Sequence, residues 1–279
     1  MVASATNNSI SDLSNTINVN PFGTGLPENY GVAIVGGKGA GQTREVVGYA
    51  NGVLQVDHAW DVIPDSTSHY STFVWGLEKS LLKGNTLVDN PRGIWLYQTA
   101  IRDVDILANT ITNGGGIYLR TFQSKAAKQF DPIYNVRIRD NKIGNSTGLW
   151  MSYLNVVFVN TDQTNFGVAD IGIEIGNNSL TANTPNLISM TEEYAGREGF
   201  MNLMRSEASG GKLSTTPMVL GTIFQSNQCL NCGTAFTLGT GSYGAVLTHN
   251  LPTLNSPNFL ADWKTLGSAI VGSIGTIVQ

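Results

Sequence analysis

The sequence predicts an all-β chain, a right-handed parallel β-helix built as a solenoid of short coils with long loops between them. Three observations predict it. Five stretches share one frame of apolar residue, two variable residues, Asn, polar residue and small or aliphatic residue. A Gly-led second strand follows most of them. Charged residues make up only 13% of the chain, against about 25% in ordinary globular proteins. Stacked coils place like side chains in register, so amides and hydroxyls suit them better than repeated charges.

The Asn frame appears as Leu82-Lys83-Gly84-Asn85-Thr86-Leu87, Ile106-Leu107-Ala108-Asn109-Thr110-Ile111 and Ile138-Arg139-Asp140-Asn141-Lys142-Ile143. It returns as Ile175-Gly176-Asn177-Asn178-Ser179-Leu180 and Phe224-Gln225-Ser226-Asn227-Gln228-Cys229. Asn tolerates the left-handed corner conformation, and its amide can bond the Asn of the next coil, about 4.8 Å away, to form a ladder. The second strand reads Gly93-Ile94-Trp95-Leu96-Tyr97, Gly116-Ile117-Tyr118-Leu119-Arg120 and Gly148-Leu149-Trp150-Met151-Ser152, with a poorer copy from Gly233 to Leu238. Alternation with period 2 over runs this short excludes helices as the repeating element. A single coil cannot bury its apolar face, so stacking is obligatory and the ends need caps. The interval between Asn steps widens along the chain, which assigns residues 122–131, 155–170 and 183–217 to excursions that carry function on a rigid frame.

The expected organisation is an arm or cap over 1–30 and one β-helix domain over 31–279. Within that domain the entry is 31–75, the coils 76–250 and the C-terminal cap 251–279, where 259–263 reads as one helical turn. The entry contains a hairpin, Glu45-Val46-Val47 and Val53-Leu54-Gln55-Val56, turning at Asn51-Gly52. Gly36-Gly37-Lys38-Gly39-Ala40-Gly41 lacks the Lys-Ser or Lys-Thr of a phosphate loop and reads as a flexible turn.

Gly39-Ala40-Gly41-Gln42-Thr43-Arg44, then Gly52-Val53-Leu54-Gln55-Val56-Asp57, Trp60 and Pro64-Asp65-Ser66-Thr67-Ser68, resembles a segment that precedes the coils of large extracellular β-helix proteins. With the Asn steps, the chain is similar over about residues 30–250 to the pectin-lyase-like superfamily of polysaccharide lyases, glycoside hydrolases, inulin fructotransferases and phage tailspikes. The resemblance implies the fold, an extracellular or secreted setting, a polysaccharide or oligosaccharide partner and a homotrimeric option. No catalytic signature of any member family matches residue by residue.

The net charge of −4 and the lack of a basic run speak against a nucleic-acid partner. No run approaches the about 20 apolar residues of a membrane span. The first ten residues show neither a basic nor an apolar signal region. With ten Phe and five Trp the chain has too much apolar material to be disordered. Cys229 and Cys232 form a lone C-x2-C pair, open to readings as buried core residues, a local disulfide or a metal or redox pair. Asp57, His58, Asp61, Asp65 and His69 could surround a divalent metal, yet Asp beside Pro, Ser and Thr is ordinary turn chemistry, and no metal site is assigned.

Registering the coils produces two candidate rows. With Ile94/Leu96, Ile117/Leu119 and Leu149/Met151 inward, Trp95, Tyr118 and Trp150 point outward together, followed by Tyr97, Arg120 and Ser152. Exposed ring faces suit the C–H groups of a sugar; the competing reading is a second core covered by loops. In the other row Leu81, Asp105, Arg137, Glu174 and Ile223 stand four residues before each Asn. Two coil steps separate Asp105 from Glu174 by about 9.6 Å, near the upper end of the about 6.5–9.5 Å span of an inverting glycosidase pair. Arg137 between them favours both ionised carboxylates, the wrong direction for a general acid, and a surface charge ladder explains the row equally well. A third candidate is the charged excursion with Glu192, Glu193, Arg197, Glu198, Arg205 and Glu207, whose Glu192, Glu193, Arg197 and Arg205 would wall a groove. Asp103, Asp131, Asp140 and Asp170 are further acids that the pattern does not rank.

These features lead to an expected carbohydrate-active protein that binds, and cleaves, a polysaccharide along the solenoid face, as a hydrolase or transglycosylase in preference to a lyase. No cofactor is expected, Ca²⁺ entering only with lyase chemistry. The alternative class is a non-catalytic structural or adhesive solenoid such as a tail-fibre or surface-protein segment.

Overall fold

Asn85, Asn109, Asn141, Asn178, Asn227 and Asn250 stand at the same corner of six successive rungs, bonded amide to amide. The computed structural model describes residues 1–12, 29–90, 92–97, 99–113, 116–124, 129–144, 154–161, 167–181, 199–208, 212–213, 219–230, 234–238, 242–244, 246–252 and 277–278. All regular structure among the described residues is β.

The chain passes through three sheets in one repeating order. The first sheet stacks His69–Lys83, Ala100–Leu107, Ile133–Arg139, Glu174–Gly176, Ile223–Gln225 and Val246–Thr248 in parallel. The second stacks Thr86–Val88, Thr110–Thr112, Lys142–Gly144, Ser179–Thr181, Gln228–Leu230 and Leu251–Pro252. The third stacks Ile94–Tyr97, Ile117–Ser124, Leu154–Thr161, Gly199–Ala208 and Thr234–Leu238.

Register is set by alternation. In the first sheet Ile101, Val104 and Ile106 lie beside Ile133, Val136 and Ile138, and all six are fully buried. Ile175 and Phe224 continue the column, also at 0% exposure. β-branched side chains suit such positions because they pack on neighbours across the pleat, each contributing about 1.5–3 kcal/mol when fully buried. A slip of one residue would turn every Ile to solvent, so the pattern fixes the pairing.

The long strand His69–Lys83 serves two partners. Its second half pairs in parallel with Ala100–Leu107, and its first half pairs antiparallel with Tyr30–Gly36. Tyr30–Gly36 in turn pairs with Thr43–Ala50, which folds back on Val53–Val56 through Asn51 and Gly52, both at positive φ (51° and 76°). That is the hairpin expected of an Asn-Gly turn. The N-terminal stretch, expected as an arm or cap, contributes two strands. Ser4–Thr6 and Ser9–Ser11 form a hairpin that extends this sheet along Val53–Val56, with Val2 and Ile10 buried against Leu54 and Trp60. The apolar Ile10 inside a polar stretch is what seats it.

This entry sheet also braces the rungs. Ala33 and Val35 pack with Phe73, Trp75, Ala100, Phe130, Tyr134 and Ala169. The Val35 carbonyl accepts the Val168 amide at 2.9 Å, on the segment entering the fourth rung. At Gly167 (φ 119°) an added Cβ would stand 1.8 Å from that same carbonyl oxygen, so only glycine lets the two backbones meet. The 36–41 glycine turn is anchored, not free: Ser68 Oγ donates to the Lys38 carbonyl at 2.7 Å. Cys232 and residues 259–263 lie outside the described residues, as does the Cys229 side chain.

Candidate face of the first sheet

The corner that positions the outward rows differs in one detail from the expected one. The left-handed residue is the one before each ladder Asn: Ala108, Asp140, Asn177, Ser226 and His249 have φ between 52° and 59°. The ladder Asn itself turns inward, and Asn109, Asn141, Asn178 and Asn227 are at most 2% exposed. Each Nδ2 donates one proton to the next Asn Oδ1 at 2.9–3.0 Å. From Asn109 onward it gives the other to a carbonyl of the preceding rung: Leu82, Ile106, Ile138, Ile175 or Phe224. The same Oδ1 also accepts the backbone amide of the preceding Asn. Asn250 was absent from the sequence frame because Leu251-Pro252 follows it in place of a polar and an aliphatic residue.

That corner holds the strand before it, so outward residues line up. Leu81, Asp105, Arg137, Glu174, Ile223 and Val246 are Cα partners in turn across six rungs. Arg137 closes on Asp105 with two hydrogen bonds, Nε to Oδ1 and Nη2 to Oδ2, each 2.6 Å. Glu174 lies 3.4 Å from Arg139 Nε, one column over. The hydrogen bonds it donates to Asp105, then the charges of Asp105 and Glu174, raise Arg137 above the ordinary guanidinium range. Both Asp105 oxygens are thus held by a guanidinium that is itself about half exposed, at 52%. Amide–carboxylate pairs flank the row: Asn135 Nδ2 donates to Asp103 Oδ1 at 2.5 Å, and Asn177 Nδ2 donates to Asp140 Oδ1. This is a flat, polar, charge-compensated face.

The aromatic row is shorter than expected. Trp95 and Tyr118 are Cα partners, but the partner of Tyr118 on the third rung is Asn155, followed by Asn202 and Thr237. Trp150 lies outside the described residues, as do Glu192, Glu193 and Arg197. Trp95 is half-buried, with the Arg92 guanidinium 4.9 Å over its ring. Tyr97, Arg120, Phe158 and Arg205 share the next register position. Arg205 is therefore on a strand, Gly199–Ala208, and not on an excursion. Residues 154–161 are likewise a strand and not a loop. The overlooked signals were Gly199 opening an alternating Met201/Leu203 run and the β-rich Val156-Val157-Phe158-Val159.

Two clusters escaped the sequence reading because their members come from distant segments. Phe73 meets Trp75 edge-on at 4.7 Å, and Tyr134 meets Trp75 at 5.8 Å, on strands of the first sheet and packed against the entry strand that carries Ala33 and Val35. Arg102 lies 4.5 Å over the Trp75 ring and pairs with both Glu45 and Glu78. The entry acids are committed to local bonds: Asp57 Oδ1 accepts the Glu45 amide, Asp61 pairs with Arg44, and Asp65 takes the Thr67 amide and hydroxyl. Those Thr67 bonds hold the Asp65 carboxyl below its usual range. Among the described residues no three His, Cys, Asp or Glu side chains converge on one point. Of the unranked acids, burial raises Asp131 against a bond from Gln129, and Asp170 is wholly enclosed.

No protein-family model matches the chain, and no curated protein matches it. Among solved structures the chain is similar to the tailspike protein gp49 from Pseudomonas phage LKA1, with 12% identity and a TM-score of 0.23. The match covers 100% of this chain, which spans 59% of the length of that tailspike chain.

Proposed function

We propose that the chain is a right-handed parallel β-helix acting as a rigid, extracellular, non-catalytic rod that binds a polysaccharide on the outward face of its first sheet. The observation that carries the reading is the register of outward-facing polar groups on consecutive rungs: half-buried Asp105, exposed Arg137 and half-buried Glu174 in one column, with Asn135 and Asn177 beside it. A ligand that repeats can meet a surface that repeats, and sugar hydroxyls pair readily with carboxylate, guanidinium and amide groups. Binding is favoured over cleavage because Arg137 occupies both Asp105 oxygens and so withdraws that carboxyl from protonating a glycosidic oxygen. No cofactor enters this proposal. Leu81 at 61% and Ile223 at 39% exposure sit near the ends of the column and support association of copies, a homotrimer being the assembly to test by sedimentation.

A panel of neutral and acidic polysaccharides, assayed by calorimetry and by reducing-end release, tests the proposal. Binding without release is expected, with Arg137→Ala weakening it about tenfold, the equivalent of one charge-assisted hydrogen bond. Failure of every polysaccharide to bind would sink it. Release that disappears in Asp105→Asn and Glu174→Gln would establish a glycosidase instead. If Trp95→Ala abolishes binding while Arg137→Ala does not, the ligand lies on the third sheet.

A further inference from the structure

Asp170 occupies a position where its neighbours carry isoleucine. It is the Cα partner of Ile133, which is the partner of Ile101, and both isoleucines are fully buried on the inner side of the first sheet. Val219 follows on the next rung. The Asp170 side chain is at 0% exposure, and so is Thr121, which reaches it from the third sheet with Oγ1 3.3 Å from Oδ2. The other oxygen, Oδ1, is buried with no hydrogen-bond partner among the described residues. The ionisable neighbour is Tyr134, beside the Ile133 position, and no cation among the described residues acts on the carboxyl. An ionised carboxylate with one weak contact and no counter-charge is far more costly here than a neutral one.

We propose that Asp170 is a proton-operated latch: with its proton bound it is held neutral between the first sheet and Thr121 of the third, and removal of the proton puts an unpaired charge between the two sheets and loosens the fourth rung. Thr121 Oγ1 donates to Oδ2 in either form, but the ionised carboxylate would hold a full charge there with Oδ1 unpartnered among the described residues, which burial penalises far more than it does the neutral group. Burial also drives Asp170 well above the ordinary carboxyl range. The linkage sign follows. The unfolded chain releases the proton near pH 4 while the folded chain keeps it, so the folded state binds more protons above that value. Stability from this group is complete below about pH 4 and is lost progressively as pH rises through the folded-state value.

The test compares unfolding of the wild-type chain and Asp170→Asn in urea from about pH 5 to pH 8. The ratio of their folding equilibrium constants, wild type over variant, should fall up to tenfold per pH unit. A ratio that stays constant overturns the latch. Infrared spectroscopy of wild-type protein carrying ¹³C-labelled aspartate gives a second reading should the variant fail to fold. A neutral carboxylic C=O band at pH 7, absent from an Asp170→Leu control, is expected, and its absence from the wild type equally overturns the proposal.

Discussion

The Asn ladder and the Asp105–Arg137–Glu174 column run up the same rungs, one facing in and the other out, and they obey different rules. The ladder repeats one neutral side chain that is both donor and acceptor, so each rung completes the last, and it continues through six rungs. The outer column must alternate sign to avoid repulsion, and it gives way at Ile223. The ladder is buried at Asn109, Asn141, Asn178 and Asn227, so the bonds there protect groups that water cannot reach. The column is open, so water can replace either partner. Repetition inside this fold therefore stores stability, and repetition outside stores a pattern available to a partner.

Breaking the ladder at its centre should have the largest effect. Asn141→Leu removes the acceptor of the Asn109 backbone amide and Nδ2, and the donor to the Ile106 carbonyl and Asn178 Oδ1. Asn178 Oδ1 keeps the backbone amide of residue 141, so three groups are stranded, and at about 1–3 kcal/mol each a loss of at least about 3 kcal/mol is expected, measured by urea unfolding. A loss below about 1 kcal/mol would mean that the sheets, not the amides, hold the corner.

Lateral support comes next. Gly167→Ala sets a methyl group against the Val35 carbonyl and strains a positive φ, so it should cost about 2–3 kcal/mol. Amide hydrogen exchange should accelerate at Val168 while the Asn109 amide keeps its protection. Equal acceleration at both would show that the brace and the ladder open as one unit. The last rung sharpens the same contrast. Asn250 accepts from the Asn227 amide and Nδ2 and donates to the Phe224 carbonyl, but it is only half-buried. Asn250→Ala should therefore cost about 1–2 kcal/mol, less than Asn141→Leu by the same urea measurement.

Much of this frame was legible because it is written with period-2 alternation and a fixed Asn. Asn85 to Asn227 and the Leu81–Ile223 column come directly from the register of the repeat. The first-sheet column survived because its strands sit at a constant offset from Asn. The aromatic row did not, because the third sheet follows a loop of variable length, and a strand's register is lost once that loop lengthens. Trp150 was aligned on its Gly148, whereas the partner of Tyr118 on the third rung is Asn155. The Phe73–Trp75–Tyr134 cluster and the Val35–Val168 contact were invisible for another reason: they join segments that no local period relates. Asp170 was seen as an acid but not as a buried one, since a two-residue strand is too short for alternation to mark which of its side chains turns inward.

The smallest expected effect carries the functional half of the comparison. A double-mutant cycle with Asp105→Asn and Arg137→Met isolates the energy of the outer pair. Both oxygens are engaged at 2.6 Å, the geometry that makes a strong ion pair, yet Arg137 is about half exposed. Screening by water and the entropy of ordering an exposed arginine reduce the coupling to about 0.5–1 kcal/mol, and it should shrink further as salt is raised. If the column exists chiefly to hold the rungs together, the coupling will exceed about 2 kcal/mol and the single variants will unfold early. If it exists to meet a ligand, both variants will keep the stability of the parent within about 1 kcal/mol while polysaccharide binding falls in Arg137→Met. The second pattern separates the column from the ladder, because a contact of little worth to the fold then has its main use outside it.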